Sequence, residues 1–416
     1  MTRTELLNYF VDQRNLQRYL EIGVSNEQDN FAHIRCGYKI GVDPKPVTTF
    51  QGTSDAFFAQ NKTPFDLIFI DGLHTEEQAL RDMTNASQCL ASGGLIVLHD
   101  CLPPTAWYQR ELAEFEEGEN WNGQVWKAAL RFFQQTTYAC VVLDTDWGCG
   151  LIDSTRSQIL EAKSLPAKLD YDADFELLLS YKMSVAAYFR TQVAVFYHLA
   201  CMGNWQQVFA EQMLQLQQNG FRQVKLTMLG DEADLLVVNS ICSNLELLAE
   251  VLFRAPELTY FETPAMLAME AHARQHEGYV LYLHSKGVSN PDDKIKVHWR
   301  RLMMKELVEQ WERCALQLPQ YDVIGVNWRD MGNISHFNGN FWYASTRYLR
   351  KLADFAPYYA HPCYRIWDVI NDKRLGCEFW IGSSSHSPRI LSLVCRNEDF
   401  CSEEYWRASK TVGQAG

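Results

Sequence analysis

The sequence FDLIFIDGLHTEEQALRDMTNASQCLASGGLIVLHDC, at positions 65–101, decides the fold of the first half of the chain. Positions 67–70 form a continuous apolar run that ends at Asp71, a pattern typical of a parallel strand buried on both faces. A second apolar run, at positions 95–98, ends at His99 and Asp100. The stretch therefore predicts two buried parallel strands, each followed at once by polar side chains.

A helix is predicted between these two strands. Thr75 and Gln78 have the spacing of a capping box, and Leu80, Met83 and Leu90 continue with helical periodicity. We expect the paired glycines at positions 93–94 to end the helix. The order of strand, helix and strand predicts a βαβ unit of an α/β sheet.

Four polar residues follow the two strands: Asp71, His74, His99 and Asp100. The carboxyl ends of neighbouring parallel strands meet at one edge of a sheet, where open α/β sheets bind their ligands. The sequence therefore predicts that these four side chains lie together in a ligand site.

Composition limits the class of protein. The 416 residues are 47% hydrophobic and carry a net charge of -13, which argues against nucleic acid as a partner. No apolar run approaches the roughly 20 residues of a membrane span, and residues 1–10 have no signal-peptide pattern. We expect a cytoplasmic enzyme, with peripheral membrane association left open. The 12 cysteines form no C-x-x-C pair and indicate neither zinc nor redox chemistry.

The alternation of strand and helix patterns predicts two α/β domains. Residues 1–160 are expected to form a Rossmann-like doubly wound sheet, 161–190 a helical connector and 191–416 a second α/β domain. Within the second domain, positions 244–254 are predicted as helix and 258–261 as strand.

Two acidic residues follow the first two predicted strands. Glu21 and Gly23 lie just past the first strand, in a reduced form of the glycine-rich turn of nucleotide-binding folds. Asp43 ends the second strand 22 residues after Glu21, a spacing at which a carboxylate can bind both ribose hydroxyls. The alternative, that these are two ordinary strand ends, stays open.

The order of the motifs YLEIGV, GVDP, GTSD, FDLIFIDGLH and GGLIVLHDC resembles class I S-adenosylmethionine-dependent methyltransferases, in particular the metal-dependent sugar O-methyltransferases of antibiotic pathways. The resemblance covers about 150 residues. It implies that Glu21 contacts the methionine end of the cofactor, that Asp43 contacts the ribose, and that Ser54 and Asp55 lie near the adenine. Ser25 and Glu27 stand where that family has its later glycines.

The polar residues at the strand ends fit activation of a hydroxyl group. A hard cation held by carboxylates lowers the pKa of a sugar hydroxyl while a nearby base accepts the proton. Asp71 and Asp100 are the expected Mg²⁺ ligands, with His99 as a less favoured third. His74 stands where the resembling enzymes carry their general base. Alternatively, these four residues cap helices and make loop hydrogen bonds.

The second domain centres on GYVLYLHSKGVS, at positions 278–289. Its strand delivers His284, Ser285 and Lys286 to a loop at the place where GT-A glycosyltransferases carry Asp-x-Asp. Lys286 and a protonated His284 would neutralise a leaving diphosphate without metal. A solvated surface loop is the alternative.

Later segments of this domain suggest carbohydrate recognition. Asn338, Asn340 and Trp342 combine amides with an aromatic face, as sugar sites do, although a core strand with an Asn-Gly turn explains Trp342 equally well. Glu378 is the first candidate for a catalytic base, and Asp368 and Asp372 are second candidates.

Residues 190–405 resemble a domain of bacterial surface-polysaccharide gene products that looks like a glycosyltransferase, on the motifs FYHL, YLHSKGVS and NGNFWYA. The resemblance implies that His198 lies near the nucleotide base of a nucleotide-sugar donor. A partly buried histidine at a strand end is the alternative.

Three functional hypotheses follow. The first is a bifunctional O-methyltransferase and glycosyltransferase of cell-surface glycan assembly, acting on a glycan or lipid-linked glycan acceptor. The second is a methyltransferase whose other domain only binds the glycan acceptor. The third is a non-catalytic scaffold built from two enzyme folds.

Overall fold

The protein divides into two compact units, Met1–Tyr188 and Phe189–Gly416. The structure is a computed structural model that describes residues 1–46, 49–116, 118–159, 165–330, 335–360 and 373–394. Within those ranges, no helix has the length and apolar character needed to cross a lipid bilayer.

The first unit is built on an eight-stranded sheet. Its strands are β1 (Arg18–Ile22), β2 (Tyr38–Asp43), β3 (Phe50–Gln51), β4 (Phe65–Ile70), β5 (Leu90–Leu98), β6 (Tyr138–Leu143), β7 (Cys149–Ser157) and β8 (Lys182–Met183). Its helices are α1 (Arg3–Arg14), α2 (Ser54–Gln60), α3 (Glu76–Gln88), α4 (Val125–Phe133) and α5 (Tyr171–Leu179), and α6 (Val185–Arg190) spans the sequence boundary between the two units. Short 3₁₀ turns lie at Phe31–His33, Ala106–Gln109 and Leu112–Glu114.

The strand order of this sheet is β3-β2-β1-β4-β5-β7-β6-β8. Strands β3 to β5 are parallel, whereas β7 runs antiparallel to both of its neighbours. The chain order therefore reverses between β1 and β4, which is where an open α/β sheet forms a ligand crevice. The predicted Rossmann-like sheet is confirmed, and it is mixed rather than wholly parallel. The segment predicted as a helical connector, 161–190, contributes strand β8 to this sheet through pairing with β6.

The predicted capping box and the predicted end of α3 both need correction. Thr75 caps the helix by accepting from the backbone N–H of Gln78, but the Gln78 side chain turns away toward Ser54 and Asp82. Helix α3 ends at Gln88, and the paired glycines at 93–94 lie inside β5. The strand begins at Leu90 because Phe65 at the start of β4 pairs with it.

The aromatic segment after Asp100 is also less helical than its sequence indicates. Two 3₁₀ turns and a loop precede α4, which begins only at Val125. Helix α4 is buried along most of its length, with Trp126 and Phe133 in the core of the unit. The residues between Asp100 and α4 therefore form short turns and a loop instead of a helix.

The second unit contains a seven-stranded sheet and a two-stranded ribbon. Its strands are β9 (Val193–Ala200), β10 (Gln223–Leu229), β11 (Leu248–Ala255), β12 (Tyr279–His284), β13 (Val323–Gly325), β14 (Trp328–Asp330), β15 (Ser335–Phe337), β16 (Trp342–Ser345) and β17 (Ile390–Ser392). Its helices are α7 (Trp205–Gln218), α8 (Glu232–Asn244), α9 (Thr263–Gln275), α10 (Lys294–Met304), α11 (Trp311–Gln317), α12 (Thr346–Leu349), α13 (Phe355–Ala360) and α14 (Lys373–Phe379). A π-helical turn at Lys305–Glu309 joins α10 to α11, and 3₁₀ turns lie at Leu258–Tyr260 and Trp380–Gly382.

The seven-stranded sheet has the order β11-β10-β9-β12-β16-β13-β17. Strands β11 to β12 are parallel, and β16 is antiparallel to its neighbours β12 and β13. The reversal of chain order between β9 and β12 makes their carboxyl ends the expected ligand crevice of this unit. An α/β sheet is thus confirmed here.

Two predicted elements of the second unit are wrong. Positions 244–254, predicted as helix, contain the end of α8 and strand β11, and the predicted strand at 258–261 is a 3₁₀ turn. The true helix starts after Asp231, which forms a complete capping box with Asp234. Short apolar runs fit either periodicity, so this cap was the more informative signal.

Candidate active site

The polar residues predicted at the strand ends do meet in the first unit. Strand β4 delivers Asp71, and β5 delivers His99 and Asp100. Two backbone hydrogen bonds extend the sheet by one residue: Asp71 N donates to the Ile22 carbonyl at 2.8 Å, and His99 N to the Ile70 carbonyl at 3.0 Å. The sheet therefore fixes the backbone positions of Asp71 and His99.

Histidine and carboxylate groups alternate in this cluster. His74 Nε2 lies 3.2 Å from Asp71 Oδ1 and 3.5 Å from Asp100 Oδ2. His99 Nδ1 lies 3.0 Å from Asp100 Oδ2 and 3.4 Å from Asp71 Oδ1. Each histidine is thus within ion-pairing distance of both carboxylates.

The electrostatics of the cluster follow from this alternation. Burial would raise the pKa of Asp71, but the positive charge of His99 and the hydrogen bond from His74 outweigh it and hold that pKa well below its usual range. Burial would lower the pKa of His74, yet the hydrogen bond to Asp71 and the charge of Asp100 raise it. The two histidines supply the positive charge that the buried carboxylates require.

Asp71, His74 and Asp100 also meet the geometric condition for a metal site. One ligand atom of each residue lies within 4.8 Å of the others. His99, the predicted third ligand, is not in this group, although its Nδ1 lies close to both carboxylates. Two carboxylate oxygens suit a hard divalent cation, and the remaining ligands of such an ion would come from water or substrate.

The outer side of His99 is held by residues that the sequence did not single out. Nε2 lies 3.6 Å from Asp146 Oδ1 and 3.3 Å from the Arg3 guanidinium, and the Arg3 backbone N–H donates to Asp146 at 2.5 Å. Burial would lower the pKa of His99, but the charge of Asp71 and the hydrogen bonds to Asp100, Asp146 and Asp71 together raise it well above its usual range. The ring is therefore fixed from both sides.

A loop segment at positions 121–124, with the sequence WNGQ, closes over the cluster. The carbonyl of Trp121 accepts a hydrogen bond from His74 Nδ1 at 3.1 Å, and Asn122 Nδ2 donates to Asp100 Oδ1 at 2.8 Å. Gln124 N donates to the His74 carbonyl at 2.7 Å. The indole of Trp121 stacks on the His74 ring, with centroids 5.5 Å apart. Three of its four residues thus orient His74 or Asp100.

Asn122 has one further property. It is almost completely buried, and its Oδ1 has no hydrogen-bond partner among the described residues. Sequence reasoning missed Asn122 because nothing in the pattern places a loop residue 22 positions after Asp100 beside that carboxylate. The Asn-Gly pair inside an aromatic segment was the only local signal of a tight turn.

A cavity of about 500 Å³ lies at the carboxyl ends of β1, β2 and β4, and Gly23, Asp43, Ser54 and Asp71 are among its lining residues. Gly23 has a φ of +86°, and a Cβ there would lie 2.0 Å from the Asp71 carbonyl oxygen. Only glycine lets β1 and β4 approach this closely. The cavity therefore depends on the one glycine retained from the nucleotide-binding turn.

Asp43 shapes the cavity as well as lining it. One carboxylate oxygen accepts from Ser25 N at 2.8 Å and the other from Lys45 N at 2.7 Å. These bonds hold the two loops that form one side of the cavity. Ser25 itself lines the cavity, so a family glycine position is filled here by a residue that contributes its backbone N–H.

Glu21 and Asp55 are not among the residues that line this cavity. Glu21 is 2% exposed and accepts hydrogen bonds from the Tyr19 hydroxyl at 2.5 Å and Asn30 Nδ2 at 3.0 Å. Burial raises the pKa of Glu21 to about 7, against the effect of those two bonds. Asp55 lies near the surface beside Arg81.

Gln78 and Asp82 are among the cavity residues that were not predicted. Asp82, almost fully buried, and Gln78 both line the cavity next to Ser54. Gln78 Nε2 lies within 3.3 Å of oxygens of Ser54, Asp55 and Asp82, and burial raises the pKa of Asp82. Their positions one turn apart on α3 were the available sequence signal.

In the second unit, His284 lies at the end of β12 but does not carry the predicted charge. Burial lowers its pKa to about 3, and nearby Lys286 lowers it further. Because Nε2 lies 3.0 Å from the Gly339 carbonyl, the neutral ring donates a hydrogen bond there. The expectation of a protonated His284 is wrong, since a desolvated imidazolium beside a lysine is unfavourable.

Ser285 and His198 have structural contacts at the same sheet edge. Ser285 Oγ accepts from Ala200 N at 2.9 Å and so joins the ends of β9 and β12. His198 lies between β12 and β10, with Nδ1 2.9 Å from Thr227 Oγ1, and burial lowers its pKa to about 4. Both side chains are buried, which agrees more closely with the structural alternative for His198 than with contact to a nucleotide base.

The amide and aromatic residues predicted for sugar binding are partly core residues. Trp342 is completely buried, packs on Tyr282 with ring centroids 5.3 Å apart, and donates from Nε1 to Asn340 Oδ1 at 2.8 Å. Asn340 in turn donates to Glu262 at 2.7 Å. A sugar cannot stack on a ring without an exposed face, so the core-strand alternative holds for Trp342. Asn338 is half-buried.

Glu378 and Lys286, like Asn338, are predicted residues of this unit that retain partial exposure. Glu378 Oε1 accepts from Gly339 N at 2.7 Å, and both side chains influence the pKa of His284 and of His336. They therefore share one neighbourhood. Asp368 and Asp372 lie outside the described residues.

Comparison with protein families agrees with the first unit and leaves the second open. Residues 10–101 match a family described as a methyltransferase domain, and residues 196–362 match a domain of unknown function, DUF8361. The match over residues 10–101 agrees with the methyltransferase prediction for the first unit. The predicted GT-A glycosyltransferase identity of the second unit receives no support. No curated protein matches the chain.

Several solved structures are similar to part of the chain. An O-methyltransferase from Bacillus cereus in complex with SAH is 16% identical over 36% of this chain and 79% of its own, with a TM-score of 0.27. TomG from Streptomyces achromogenes, solved with SAM, is 14% identical over 36% of this chain and 78% of its own, with a TM-score of 0.27. MycE from the mycinamycin pathway, solved with Mg, SAH and mycinamycin VI, is 20% identical over 38% of this chain and 50% of its own, with a TM-score of 0.26. Scores this low identify neither a substrate nor a reaction.

Proposed function

We propose that the first unit transfers a methyl group from S-adenosylmethionine to a hydroxyl oxygen, with His74 as the general base. One observation carries this proposal: Asp71 belongs both to the wall of the 500 Å³ cavity and to the cluster with His74 and Asp100. A methyl donor in the cavity would therefore lie next to a base and two carboxylates. The match of residues 10–101 to a methyltransferase family supports the same assignment.

We assign the cofactor to the cavity at the carboxyl ends of β1 and β2. Asp43 would contact the ribose, and Gly23 with the buried Glu21 behind it would lie at the methionine end. Ser54, now accompanied by Gln78 and Asp82, would lie toward the adenine. Asp55 would contribute to this end of the site only indirectly, by accepting a hydrogen bond from Gln78.

Asp71 and Asp100 would hold a divalent cation such as Mg²⁺, with His99 placed behind them as a fixed neighbour. When bound, such an ion would lower the pKa of a coordinated hydroxyl and offset the carboxylate charge that keeps a proton on His74. Asn122 would keep Asp100 in place through its hydrogen bond.

The proposed reaction is a direct displacement. The acceptor oxygen forms a bond to the methyl carbon while the carbon–sulfur bond breaks. The sulfur keeps the bonding electron pair, which gives S-adenosylhomocysteine, and the hydroxyl proton passes to His74 Nε2. His74 is suited to this step because its Nδ1–H is already held by Trp121, so Nε2 faces the cluster.

Calorimetry of the full chain with S-adenosylmethionine, with and without Mg²⁺, tests the proposal. We expect binding that is lost in Gly23→Ala, whose new Cβ would meet the Asp71 carbonyl, and retained in Gly37→Ala, where a Cβ meets no atom within 4 Å. Failure of the wild-type chain to bind the cofactor would refute the proposal.

For the second unit we propose a nucleotide-sugar binding site around Lys286 and Glu378. The proposed process is glycan assembly in the cytoplasm. The supporting observation is that both side chains retain partial exposure near the reversal of strand order between β9 and β12. Lys286 would neutralise the diphosphate, and Glu378 would act as base toward the acceptor hydroxyl. Neutral His284 would only position the Gly339 loop.

A binding panel of uridine, guanosine and thymidine diphosphate sugars tests this second proposal. Binding that is weakened by Lys286→Ala, with methyl transfer unchanged, is expected. Binding of free glycans but of no nucleotide would favour the alternative in which this unit only binds the acceptor. Failure of both units to bind any ligand would favour a scaffold.

A further inference from the structure

A second cavity, of about 280 Å³, adjoins the proposed base on the side of the loop. Its lining residues include His74, Glu76, Glu77, Glu111, Leu112 and Trp121. His74 thus lines this cavity and also contacts Asp71, which lines the cofactor cavity. The Asp71–His74 pair therefore connects the two cavities.

We propose that this second cavity binds the methyl acceptor and that the acceptor is a hydroxyl compound that carries an amino group. The proposal rests on the methyl-transfer function proposed above. A hydroxyl group bound here would be next to His74, which is the only lining residue of the cavity that also belongs to the Asp71–Asp100 cluster.

The size of the cavity limits the part of the acceptor that enters it. A volume of 280 Å³ is at the lower end of small-molecule pockets, which span roughly 300–1,000 Å³. One substituted ring fits such a space. Leu112 is 43% exposed and gives the ring an apolar surface, while Trp121 is already stacked on His74 and Phe115 and forms a rigid wall.

The charge of the lining residues selects among ring compounds. Three glutamates line the cavity, and neither lysine nor arginine is among the lining residues that the structure describes. Glu76 is paired with Arg131. Glu77 and Glu111 form no ion pair with a described residue, and Glu111 caps the short turn Leu112–Glu114 with its carboxylate. An ammonium group is therefore attracted, and a carboxylate or phosphate is repelled.

The charge of His74 does not reverse this preference. His74 is the one basic group at the cavity, and its positive charge is matched by Asp71 and Asp100 on its other side. Glu77 and Glu111 are exposed whereas His74 is half-buried, so the two carboxylates face an entering anionic acceptor and repel it.

Matched hexoses provide a direct test in the full chain. Saturation-transfer NMR with S-adenosylhomocysteine present would compare glucosamine, glucose and glucuronate as probes. We expect affinity to decrease in the order glucosamine, glucose, glucuronate. Each exposed carboxylate that contributes should change the affinity by about 2- to 5-fold between successive sugars. In the double variant Glu77→Gln and Glu111→Gln, the three sugars should bind with similar affinity. Glu116→Gln, in the same loop but not among the cavity's lining residues, should keep the order.

Two outcomes would overturn the inference: glucuronate binding as tightly as glucosamine, or a charge order that survives in the double variant. Calorimetry with S-adenosylhomocysteine separates this inference from the proposed function. If the cofactor product binds but the charge order is absent, only the acceptor inference fails. If the product does not bind, the methyl-transfer function itself fails.

Discussion

His74 Nδ1 donates a hydrogen bond to the carbonyl oxygen of Trp121 across 3.1 Å. A carbonyl can only accept, so Nδ1 carries a hydrogen and Nε2 is the nitrogen directed at Asp71 and Asp100. The backbone of a loop thus fixes both the orientation of the ring and its tautomer, as the partners of functional histidines commonly do. This single contact leaves Nε2 as the nitrogen that can accept a proton on the side of the two carboxylates.

Replacing His74 by alanine should remove methyl transfer and leave cofactor affinity nearly intact. Loss of a general base typically costs about 10²- to 10⁴-fold in rate, whereas His74 is not among the lining residues of the cofactor cavity. Single-turnover methyl transfer and calorimetry with S-adenosylmethionine measure the two effects. His33→Ala, which changes an exposed histidine, is the control. A large loss of cofactor affinity would contradict the assignment of the base.

Asn122→Ala should slow methyl transfer by about 10- to 100-fold, because a hydrogen bond to a charged group contributes about 1.5–3 kcal/mol. The lost bond is the 2.8 Å contact from Asn122 to Asp100. We expect the rate at saturating cofactor to fall and the Mg²⁺ requirement to rise. Asn26→Ala, at an exposed position, is the control. An unchanged Mg²⁺ titration would show that Asn122 does not hold Asp100 for the ion.

Gly123→Ala should displace the loop from His74. Gly123 has a φ of +59°, and a Cβ there would lie 2.2 Å from the His74 carbonyl oxygen. Gly118→Ala is a matched control, because Gly118 also has a positive φ of +95° but a Cβ there meets nothing within 4 Å. Both variants carry backbone strain of about 1 kcal/mol. Only Gly123→Ala should lose activity, and equal activity in both would show that the loop does not control His74.

Glu21 should make the free energy of unfolding fall as pH rises. Burial raises the pKa of Glu21 from its ordinary value of 4.5 to about 7 in the folded protein. Between these values the unfolded chain releases the proton while the folded protein keeps it, so stability is fully present below pH 4.5 and declines toward pH 7. The shift corresponds to about 3 kcal/mol.

Glu21→Gln removes this titration while keeping a side-chain oxygen for Tyr19 and Asn30. Urea unfolding of wild type and variant at about pH 5 and about pH 8 measures the difference. The variant should be relatively more stable at the higher pH. A stability difference that does not change with pH would mean that Glu21 is already charged in the folded protein.

The sequence by itself determined much of the first unit. Continuous apolar runs identified β4 and β5, and their shared edge followed from parallel pairing, so Asp71, His74, His99 and Asp100 were brought together correctly. Gly23 and Asp43 were predicted in the same way at the ends of the first two strands, and both line the cavity at the carboxyl ends of those strands.

Only the tertiary structure decided the rest. The contacts of Trp121 and Asn122 with His74 and Asp100 depend on a loop path that has no periodicity, and the contact of Asp146 with His99 depends on the turn between β6 and β7. In the second unit, desolvation decided that His284 is neutral and that Trp342 belongs to the core. A residue's type shows what it can do chemically, but burial and partners fix its charge and exposure, and these arise only when distant segments pack together.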